Sequence, residues 1–376
     1  MTFISFSRPR FDEEEIAAVA DVLRSGWITT ASRTLEFQKL FADYTGSRHA
    51  LALSSCTAGL FLALKALGVG PGDEVVVPPL TFAATANVVV HCGAKPVFAD
   101  VIEESGLLDP EAFDRVVTPR TKAVIPVHLY GVPVSRSIIE LARTRRISVV
   151  GDCAHATEAR RGGAHVGGEA LVSSFSFYAT KNLSVGEGGM VVTDSAELFE
   201  RMSMLSLHGM SSAAFERYSE KGFRQYEVLD AGYKFNMSDI NAALGIGQLK
   251  RLGAHLERRV IIWKRYDDAF RDLPLRLPPP VPADCVHARH LYTMRSPHRD
   301  RIIELMQAAG IGCGVHFTAL HLQPFYRKLL GAKRGDHPAA EAISDTTFSI
   351  PLTPYLSEDE VTRIIETVRS IAEKCS

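Results

Sequence analysis

Residues 49–101 read HALALSSCTAGLFLALKALGVGPGDEVVVPPLTFAATANVVVHCGAKPVFADV and alternate between short apolar strands and helical segments. Strands are predicted at HALAL, DEVVV and KPVF, and the two segments between them have the spacing of helices. Alternation of this kind is typical of α/β folds, in which helices cover both faces of a mainly parallel sheet. Further strands at KAVIPV, ISVVGD, LVSSFSFY and GGMVV extend the pattern. The sequence therefore predicts a large α/β domain built on a mostly parallel sheet.

The chain is predicted to divide near residue 250 into two domains. A helical pattern that includes Leu249, Trp263 and Phe270 predicts a long connecting helix, and the proline-rich run LPLRLPPPVPADC follows it at residues 273–285. After this run HLYTMRS indicates a strand, and Ser357 with Glu360 has the spacing of a capping box. We predict a large domain over residues 1–250 and a smaller C-terminal α+β domain over residues 251–376.

The first predicted helix lies in FDEEEIAAVADVLRSG, residues 11–26. Asp12 and Glu15 have the spacing of a capping box, and Gly26 is a helix stop signal. The helical period places four apolar residues on one face, namely Ile16, Val19, Val22 and Leu23. This pattern predicts an amphipathic helix.

Charge and composition favour a small-molecule partner. The 376 residues include 42 Lys and Arg against 43 Asp and Glu, so no net field attracts nucleic acid or an anionic membrane. The start of the chain lacks a basic stretch followed by an apolar core, and no run reaches the ~18 apolar residues of a membrane helix. The six cysteines form no C-x-x-C pair, which argues against a disulfide framework and a zinc site. We expect a cytoplasmic protein without a metal.

A first candidate site lies in LALSSCTAGL, where a strand runs through two serines into a helix that includes Thr57 and Ala58. Free amides at a helix N-terminus, with hydroxyl groups beside them, form an anion site that suits phosphate. An ordinary helix cap explains the same residues. The motif alone does not decide between these two interpretations.

A second candidate is Asp152 in ISVVGDCAHA, which lies just past a buried strand, at the edge where ligands of open α/β sheets bind. A carboxylate in such a place requires a cation, although a helix cap or a core ion pair would also explain it. His155 lies three residues further on and by itself reads more easily as a packed or capping histidine. Its position beside Asp152 favours a functional role only modestly.

Lys181 lies in SFSFYATKNLSVGEGGMVVTD, residues 174–194, between a predicted strand and a glycine-rich turn. Phosphate-binding amides, a strand-end carboxylate and a strand-end lysine are together what pyridoxal phosphate requires. Lys181 would bind the cofactor covalently, Asp152 would keep its pyridine nitrogen protonated, and Ser176 would help to hold its phosphate. Once displaced by substrate, the Lys181 amine could move a proton between the substrate carbon and the cofactor.

Eight segments of the chain resemble one enzyme family in sequence and in order. They are SGWITT, PRTKAVIPVHLYG, DCAHA, SFSFYATKNLSVGEGGMVVT, GYKFNMSDINAALGIGQLKRL, HLYTMRS, GIGCGVHF and HLQPFYR. The chain is similar to the DegT/DnrJ/EryC1/StrS family of sugar aminotransferases, and most resembles the branch that makes UDP-4-amino-4-deoxy-L-arabinose. The resemblance implies fold type I of the pyridoxal-phosphate enzymes, a homodimer, and amino transfer, with glutamate as donor, to a nucleotide-linked keto-sugar.

The resemblance also implies roles for individual residues. The cofactor-binding lysine falls on Lys181 and its pyridine partner on Asp152, while the phosphate contacts fall on Thr57, Ala58 and Ser176. Four further positions follow in the same way. Phe82 would stack on the cofactor ring, although in isolation it reads as core, and His155 would pack against the other side of the ring or its hydroxyl. His316 and Glu187 would face the substrate, with packing and turn roles as the alternatives. Asn236 corresponds to a phosphate contact from the neighbouring subunit. The chain departs from the usual family pattern at Cys56, Gly151 and Glu158, the last in place of glycine.

Three other functions fit the sequence less well. A sugar 3-dehydratase on the same fold has histidine in place of the lysine, and a noncatalytic sensor would be expected to lose Lys181 or Asp152. A nicotinamide enzyme is disfavoured because Gly68, Gly70 and Gly72 follow a predicted helix and precede a strand, the reverse of the dinucleotide-binding order. Within the family, we expect a 4-keto sugar, and a 3-keto sugar or a keto-cyclitol is the alternative.

Overall fold

The computed structural model describes residues 2–211 and 226–375. Helices in these ranges are α1 Glu13–Ser25, α2 Ser32–Thr45, α3 Cys56–Ala66, α4 Ala84–His91, α5 Pro110–Val116, α6 Arg136–Thr144, α7 Ala196–Ser206, α8 Asp239–Phe270, α9 Arg299–Ala308, α10 Pro324–Leu330, α11 Pro338–Thr346 and α12 Glu358–Lys374. Strands are β1 His49–Leu53, β2 Glu74–Val77, β3 Lys95–Phe98, β4 Thr121–Val124, β5 Ser148–Asp152, β6 Arg160–Arg161, β7 Ala164–His165, β8 Val172–Ser176, β9 Gly189–Thr193, β10 Cys285–Val286, β11 Tyr292–Arg295 and β12 Thr347–Ile350.

Seven strands form the main sheet in the order β1-β9-β8-β5-β4-β2-β3. Neighbours from β8 to β3 are parallel, and β9 runs antiparallel to β1 and β8. The predicted mostly parallel sheet is therefore confirmed. Its parallel strands end at one edge, which brings residues distant in sequence to the same place.

The wholly apolar run of β2 is explained by burial on both faces of the sheet. Val75 and Val77 pack in the core that contains α3 and α4, whereas Val76 packs in the core that contains α5 and α6. All three valines are 0% exposed. Because successive side chains of a strand point to opposite faces, a strand covered on both sides has no solvent-facing position for a polar residue.

Helix α8 extends over 32 residues and joins two separate cores. Ala242 and Ile246 pack beside the main sheet, whereas Ile262 and Trp263 pack with the antiparallel pair β11 and β12. Residue 250 lies inside this helix, and the division into domains 1–250 and 251–376 stays a proposal. Within the described residues, no helix, α8 included, is long and apolar enough to cross a membrane.

The C-terminal core also takes in the start of the chain. Ile4 is buried among residues of α8, α9 and α12, and its backbone pairs with Ile311. This contact places the segment after Ile4 at the junction between the two cores.

Helix α1 begins with the predicted capping box of Asp12 and Glu15 and ends at Gly26, whose φ is 74°. In an ordinary amphipathic helix the apolar face is buried, but two of the four residues on the predicted apolar face of α1 are more than half exposed. Ile16 and Leu23 are 51% and 57% exposed. Glu15 is buried instead, because its carboxylate accepts hydrogen bonds from side chains of α8. Val22 of the predicted face is also buried, so α1 packs through this apolar residue together with an ionic contact to α8 that the apolar period does not register.

Candidate active site

A cavity of about 600 Å³ opens where β5 and β8 end and α3 begins. Eight residues singled out from the sequence line it: Thr57, Phe82, Asp152, His155, Ser176, Lys181, Glu187 and His316. Two others, Ala58 and Asn236, do not line it. The volume is that of an ordinary small-molecule site.

Lys181 lies in the turn after β8, where its backbone amide donates to the carbonyl of Tyr178 at 2.8 Å. Burial lowers the pKa of its amine to about 8, and the negative charge of Asp152 opposes this effect. A lysine with a pKa near 8 is partly uncharged at neutral to mildly alkaline pH. It can therefore act as a nucleophile or exchange a proton.

Asp152, the last residue of β5, is 5% exposed and lacks an ion-pair partner among the described residues. One carboxylate oxygen accepts from the Thr85 hydroxyl at 2.9 Å and the other from the Ala154 amide at 3.1 Å. Burial raises the pKa of this carboxyl group. A buried carboxylate without a contacting cation favours a cationic group bound in the cavity.

The N-terminus of α3 supplies amides without acceptors. The hydroxyl of Ser55 accepts from the Ala58 amide at 3.1 Å, so Ala58 is already capped within the chain. The amides of Cys56 and Thr57 meet no acceptor in the part of the chain that the structure describes. A Cβ at Gly189 would lie 2.4 Å from the Cys56 nitrogen, so glycine is needed there for β9 to approach this helix end. The expected contact at Ala58 is therefore already used within the chain, and the Cys56 and Thr57 amides are the ones available to a bound anion.

Phe82 and His155 both present rings to the cavity. Phe82 is 63% exposed, although in isolation its sequence context reads as core. Nδ1 of His155 accepts from the Tyr130 amide at 3.2 Å, and burial holds the pKa of His155 well below its usual range. The neutral ring therefore carries its proton on Nε2 and can donate from there.

The two expected substrate positions also lie on the cavity wall. Glu187 is exposed, and its backbone carbonyl accepts from the Asn241 side chain at 3.1 Å. His316 stacks on Phe6 with 5.3 Å between ring centroids, and its Nδ1 lies 2.9 Å from the Ser349 hydroxyl. Burial lowers the pKa of His316 to about 4.

Asn236 makes its contacts outside the cavity of its own chain. Its side-chain amide donates to the Thr30 hydroxyl at 2.6 Å, and its oxygen accepts from Lys234 at 2.5 Å. Its neighbour Phe235 accepts from the Ser54 amide at 2.7 Å, which holds this segment against the end of β1. Asn236 therefore has no part in the cavity within a single chain.

The structure adds cavity residues that sequence reasoning did not identify. Phe6 and Ser7 come from the start of the chain, and His290 and Phe317 come from segments beyond α8. Of these, only His290 carries a visible signal in the sequence, since it directly precedes the apolar start of a predicted strand in HARHLY, where a histidine is a candidate for a buried position. Their convergence on Lys181 depends on contacts between the two cores.

Comparisons with known proteins identify the family of the chain. The model of the DegT/DnrJ/EryC1/StrS aminotransferase family matches residues 9–369. The chain is 45% identical to the spore coat polysaccharide biosynthesis protein SpsC of Bacillus subtilis, over 99% of this chain and 97% of that protein.

Solved structures of similar proteins have the same fold. The pyridoxamine-phosphate form of the putative sugar aminotransferase Spr1654 from Streptococcus pneumoniae has a TM-score of 0.94 at 34% identity, over 99% of this chain and 100% of that one. PseC of Helicobacter pylori, an aminotransferase involved in pseudoaminic acid biosynthesis, has a TM-score of 0.92 at 30% identity, with the same two coverages.

The cavity fits pyridoxal phosphate on three observations. Among the described residues Asp152 meets no contacting cation and the Cys56 and Thr57 amides meet no acceptor, and the buried amine of Lys181 lines the same cavity. The fold is fold type I of the pyridoxal-phosphate enzymes, and the protein is a pyridoxal-phosphate-dependent sugar aminotransferase. The chain belongs to the DegT/DnrJ/EryC1/StrS aminotransferase family.

Proposed function

We propose that the enzyme transfers an amino group from glutamate to the 4-keto group of a nucleotide-linked sugar. The observation that carries the transamination itself is the buried Lys181 amine in one cavity with the uncompensated Asp152 carboxylate. The segment GYKFNMSDINAAL, which resembles the UDP-4-amino-4-deoxy-L-arabinose branch, supports the 4-keto position. The polysaccharide and pseudoaminic acid pathways of SpsC and PseC support a sugar acceptor.

Bound pyridoxal phosphate supplies an electron sink for the carbon that loses its proton. Asp152 would hold a proton on the pyridine nitrogen, and Thr57 with Ser176 would bind the phosphate group. Lys181 would then take the proton from the substrate carbon and return it on the cofactor side. His316 and Glu187, on the cavity wall, would contact the sugar.

A substrate screen tests the acceptor. The pyridoxamine form of the enzyme is mixed with a panel of nucleotide-linked 4-keto sugars, 3-keto sugars and keto-cyclitols, and the return of the aldehyde form is followed by absorbance. We expect return with a 4-keto sugar. Return only with a 3-keto sugar or a keto-cyclitol would overturn the 4-keto assignment.

We also propose a homodimer in which Asn236 contacts the phosphate bound by the neighbouring subunit. Two observations support this assembly: Asn236 does not line its own cavity, and its segment is held beside the end of β1. The six unpaired cysteines further support a reducing, cytoplasmic location.

A further inference from the structure

A buried ion pair lies behind the wall of the Lys181 cavity. Arg259 of α8 donates to Glu158, and the two side chains are 1% and 2% exposed. Replacement of a buried ion pair by apolar residues is often neutral or stabilising, so such a pair is weak evidence for a role in stability alone. Glu158 stands where the resembled family usually has glycine, and the pair is therefore a feature of this chain to be explained.

Glu158 determines the orientation of Asn182, the residue directly after Lys181. The amide nitrogen of Asn182 donates to Glu158 at 2.9 Å and to the Ala288 carbonyl at 2.8 Å. These two bonds use both hydrogens of the amide group. The atom of Asn182 that lies 3.0 Å from Nδ1 of His290 is therefore its oxygen.

The orientation of Asn182 in turn assigns the proton on His290. An amide oxygen only accepts hydrogen bonds, so Nδ1 of His290 must be the donor. Burial holds the pKa of His290 well below its usual range, and the ring is neutral. A neutral ring with its proton on Nδ1 has a free lone pair on Nε2.

Nε2 of His290 is available to a ligand. The ring lines the Lys181 cavity, and Nε2 has no hydrogen-bond partner among the described residues. Nδ1 of His321, in contrast, is fully buried without a hydrogen-bond partner, and Nε2 of His290 is not among the buried atoms of that kind. The neighbouring His155, 4.4 Å away between ring centroids, has the opposite arrangement, because its Nδ1 accepts from Tyr130. Of these two neighbouring rings, His155 can thus donate to a ligand through Nε2, whereas His290 can accept from a ligand through Nε2.

We propose that Glu158 is a positioning residue which, through Asn182, holds His290 with its proton on Nδ1, so that Nε2 accepts a hydrogen bond from a hydroxyl of the sugar substrate. The identity of the donor as a sugar hydroxyl rests on the proposed function. A site that hydrogen-bonds a substrate hydroxyl discriminates strongly against analogues that lack it. His290 is then a specificity-determining residue for the acceptor.

The proton on His290 can be observed directly. Long-range proton–nitrogen correlation spectra of the holoenzyme, with ¹⁵N-labelled histidine, should show His290 protonated at Nδ1 and unprotonated at Nε2. His165 is the internal control for the opposite form, since its Nδ1 accepts from the Gly167 amide and its Nε2 lies 2.8 Å from the Thr157 carbonyl. A proton on Nε2 of His290 would overturn the proposal.

Glu158→Gln tests the positioning role in the same spectrum. Glutamine can donate as well as accept, so Asn182 is free to turn over and His290 should show a mixture of the two forms. Glu158→Asp, which keeps the carboxylate, should restore the single form at least in part. A single unchanged form in Glu158→Gln would remove Glu158 from the proposal, and the folded state is checked by circular dichroism.

Two substitutions of His290 distinguish the roles of its two ring nitrogens in kinetic measurements. The amide nitrogen of His290→Asn can occupy the position of Nδ1 and keep the bond to Asn182, whereas the amide oxygen of His290→Gln can occupy the position of Nε2. We expect His290→Asn to raise the KM for the keto-sugar by ~10-fold. The KM for glutamate should change less than ~3-fold, and His290→Gln should keep most of the sugar affinity.

The outcomes distinguish this inference from the proposed function. Wild-type enzyme that aminates the sugar while His290→Asn keeps its KM would overturn the role of His290 alone. Equal losses for sugar and glutamate would also overturn it, because they indicate a general structural defect. Wild-type enzyme inactive on the whole keto-sugar panel would overturn the proposed function and the sugar-hydroxyl assignment, while the spectrum still decides the form of His290.

Discussion

Asp152, the last residue of β5, and Glu158, six residues further along the chain, are two buried carboxylates that differ in how their charge is compensated. Burial raises the pKa of both groups. Glu158 has the Arg259 guanidinium in direct contact, whereas within the described residues the Asp152 carboxylate contacts hydroxyl, amide and thiol donors but no cation, and the charge of Lys181 lies at a greater distance.

The difference between these carboxylates predicts different effects of their loss on the stability of the apoenzyme. A buried carboxylate that is paired with a cation of its own chain needs no ligand to compensate its charge. Removal of such a carboxylate should mainly lower the free energy of unfolding. The charge of a buried carboxylate without a contacting cation is compensated only when a cationic group binds. The predictions below test this contrast.

Lys181→Ala should have the largest effect, because the variant lacks the only amine that the cavity offers to cofactor and substrate within the described residues. We expect turnover to fall by ~10⁴-fold while the fold is kept and the cofactor binds reversibly. Borohydride reduction of the wild-type holoenzyme followed by peptide mapping should place the label on Lys181. A label on another lysine would contradict the assignment.

Asp152→Asn should reduce turnover by ~10²–10³-fold, since an adjacent charge is worth up to ~3 pKa units for the pyridine nitrogen. The unfolding free energy of the apoenzyme should stay equal or rise, because an uncompensated buried charge has been removed. Steady-state kinetics and urea unfolding of the same preparations measure both effects. A large loss of apoenzyme stability would show that Asp152 belongs with the structural carboxylates.

Glu158→Gln, in contrast to Asp152→Asn, should lower the unfolding free energy of the apoenzyme. It leaves the Arg259 charge buried without a counterion, and we expect the unfolding free energy to fall by about 3–5 kcal/mol. Urea unfolding measures the loss, and Glu169→Gln is a matched control, since the ion pair of Glu169 with Arg161 is less buried. Equal losses in the two variants would mean that the burial of the Glu158 pair is energetically unimportant.

The buried Lys181 should make the stability of the apoenzyme depend on pH. Its folded pKa of about 8 lies below the ordinary value of 10.5, so the unfolded chain binds more protons between these values. The unfolding free energy should therefore rise with pH from about 8 to 10.5, by up to about 3 kcal/mol. In Lys181→Met the unfolding free energy should no longer rise over this pH range. An unchanged pH profile in that variant would show that other groups cause the rise.

Mixed dimers test whether the site is completed across subunits. If Asn236 acts on the neighbouring site, hybrids of Asn236→Ala and Lys181→Ala chains contain one site with both defects and one with neither. Random equal mixing should restore activity to roughly a quarter of wild type, because half of the dimers are hybrids with one intact site each. The test requires an impaired Asn236→Ala parent and verified subunit exchange. No gain over the parents would then place Asn236 outside the partner's site.

Local patterns predicted much of the fold and the centre of the site. The alternation in residues 49–101, the burial of β2 and the capping boxes at Asp12 and Ser357 all appear in the structure. Lys181 and Asp152 could be found because both follow apolar strands, and parallel strands end at one edge of the sheet. These features depend on residues near each other in the chain, where periodicity is informative.

The amino-acid sequence alone determined the sheet, the helix ends and the strand-end lysine and carboxylate, because these follow from local hydrophobic spacing. Only the tertiary structure decided that Glu15 and not Ile16 of α1 is buried, that Ser55 already caps Ala58, and that His290 reaches the Lys181 cavity. The form of His290 depends on Arg259, Glu158 and Asn182, which come from three separate segments. Such contacts form only when the two cores pack together, and no periodic pattern in the chain encodes which polar atoms then meet.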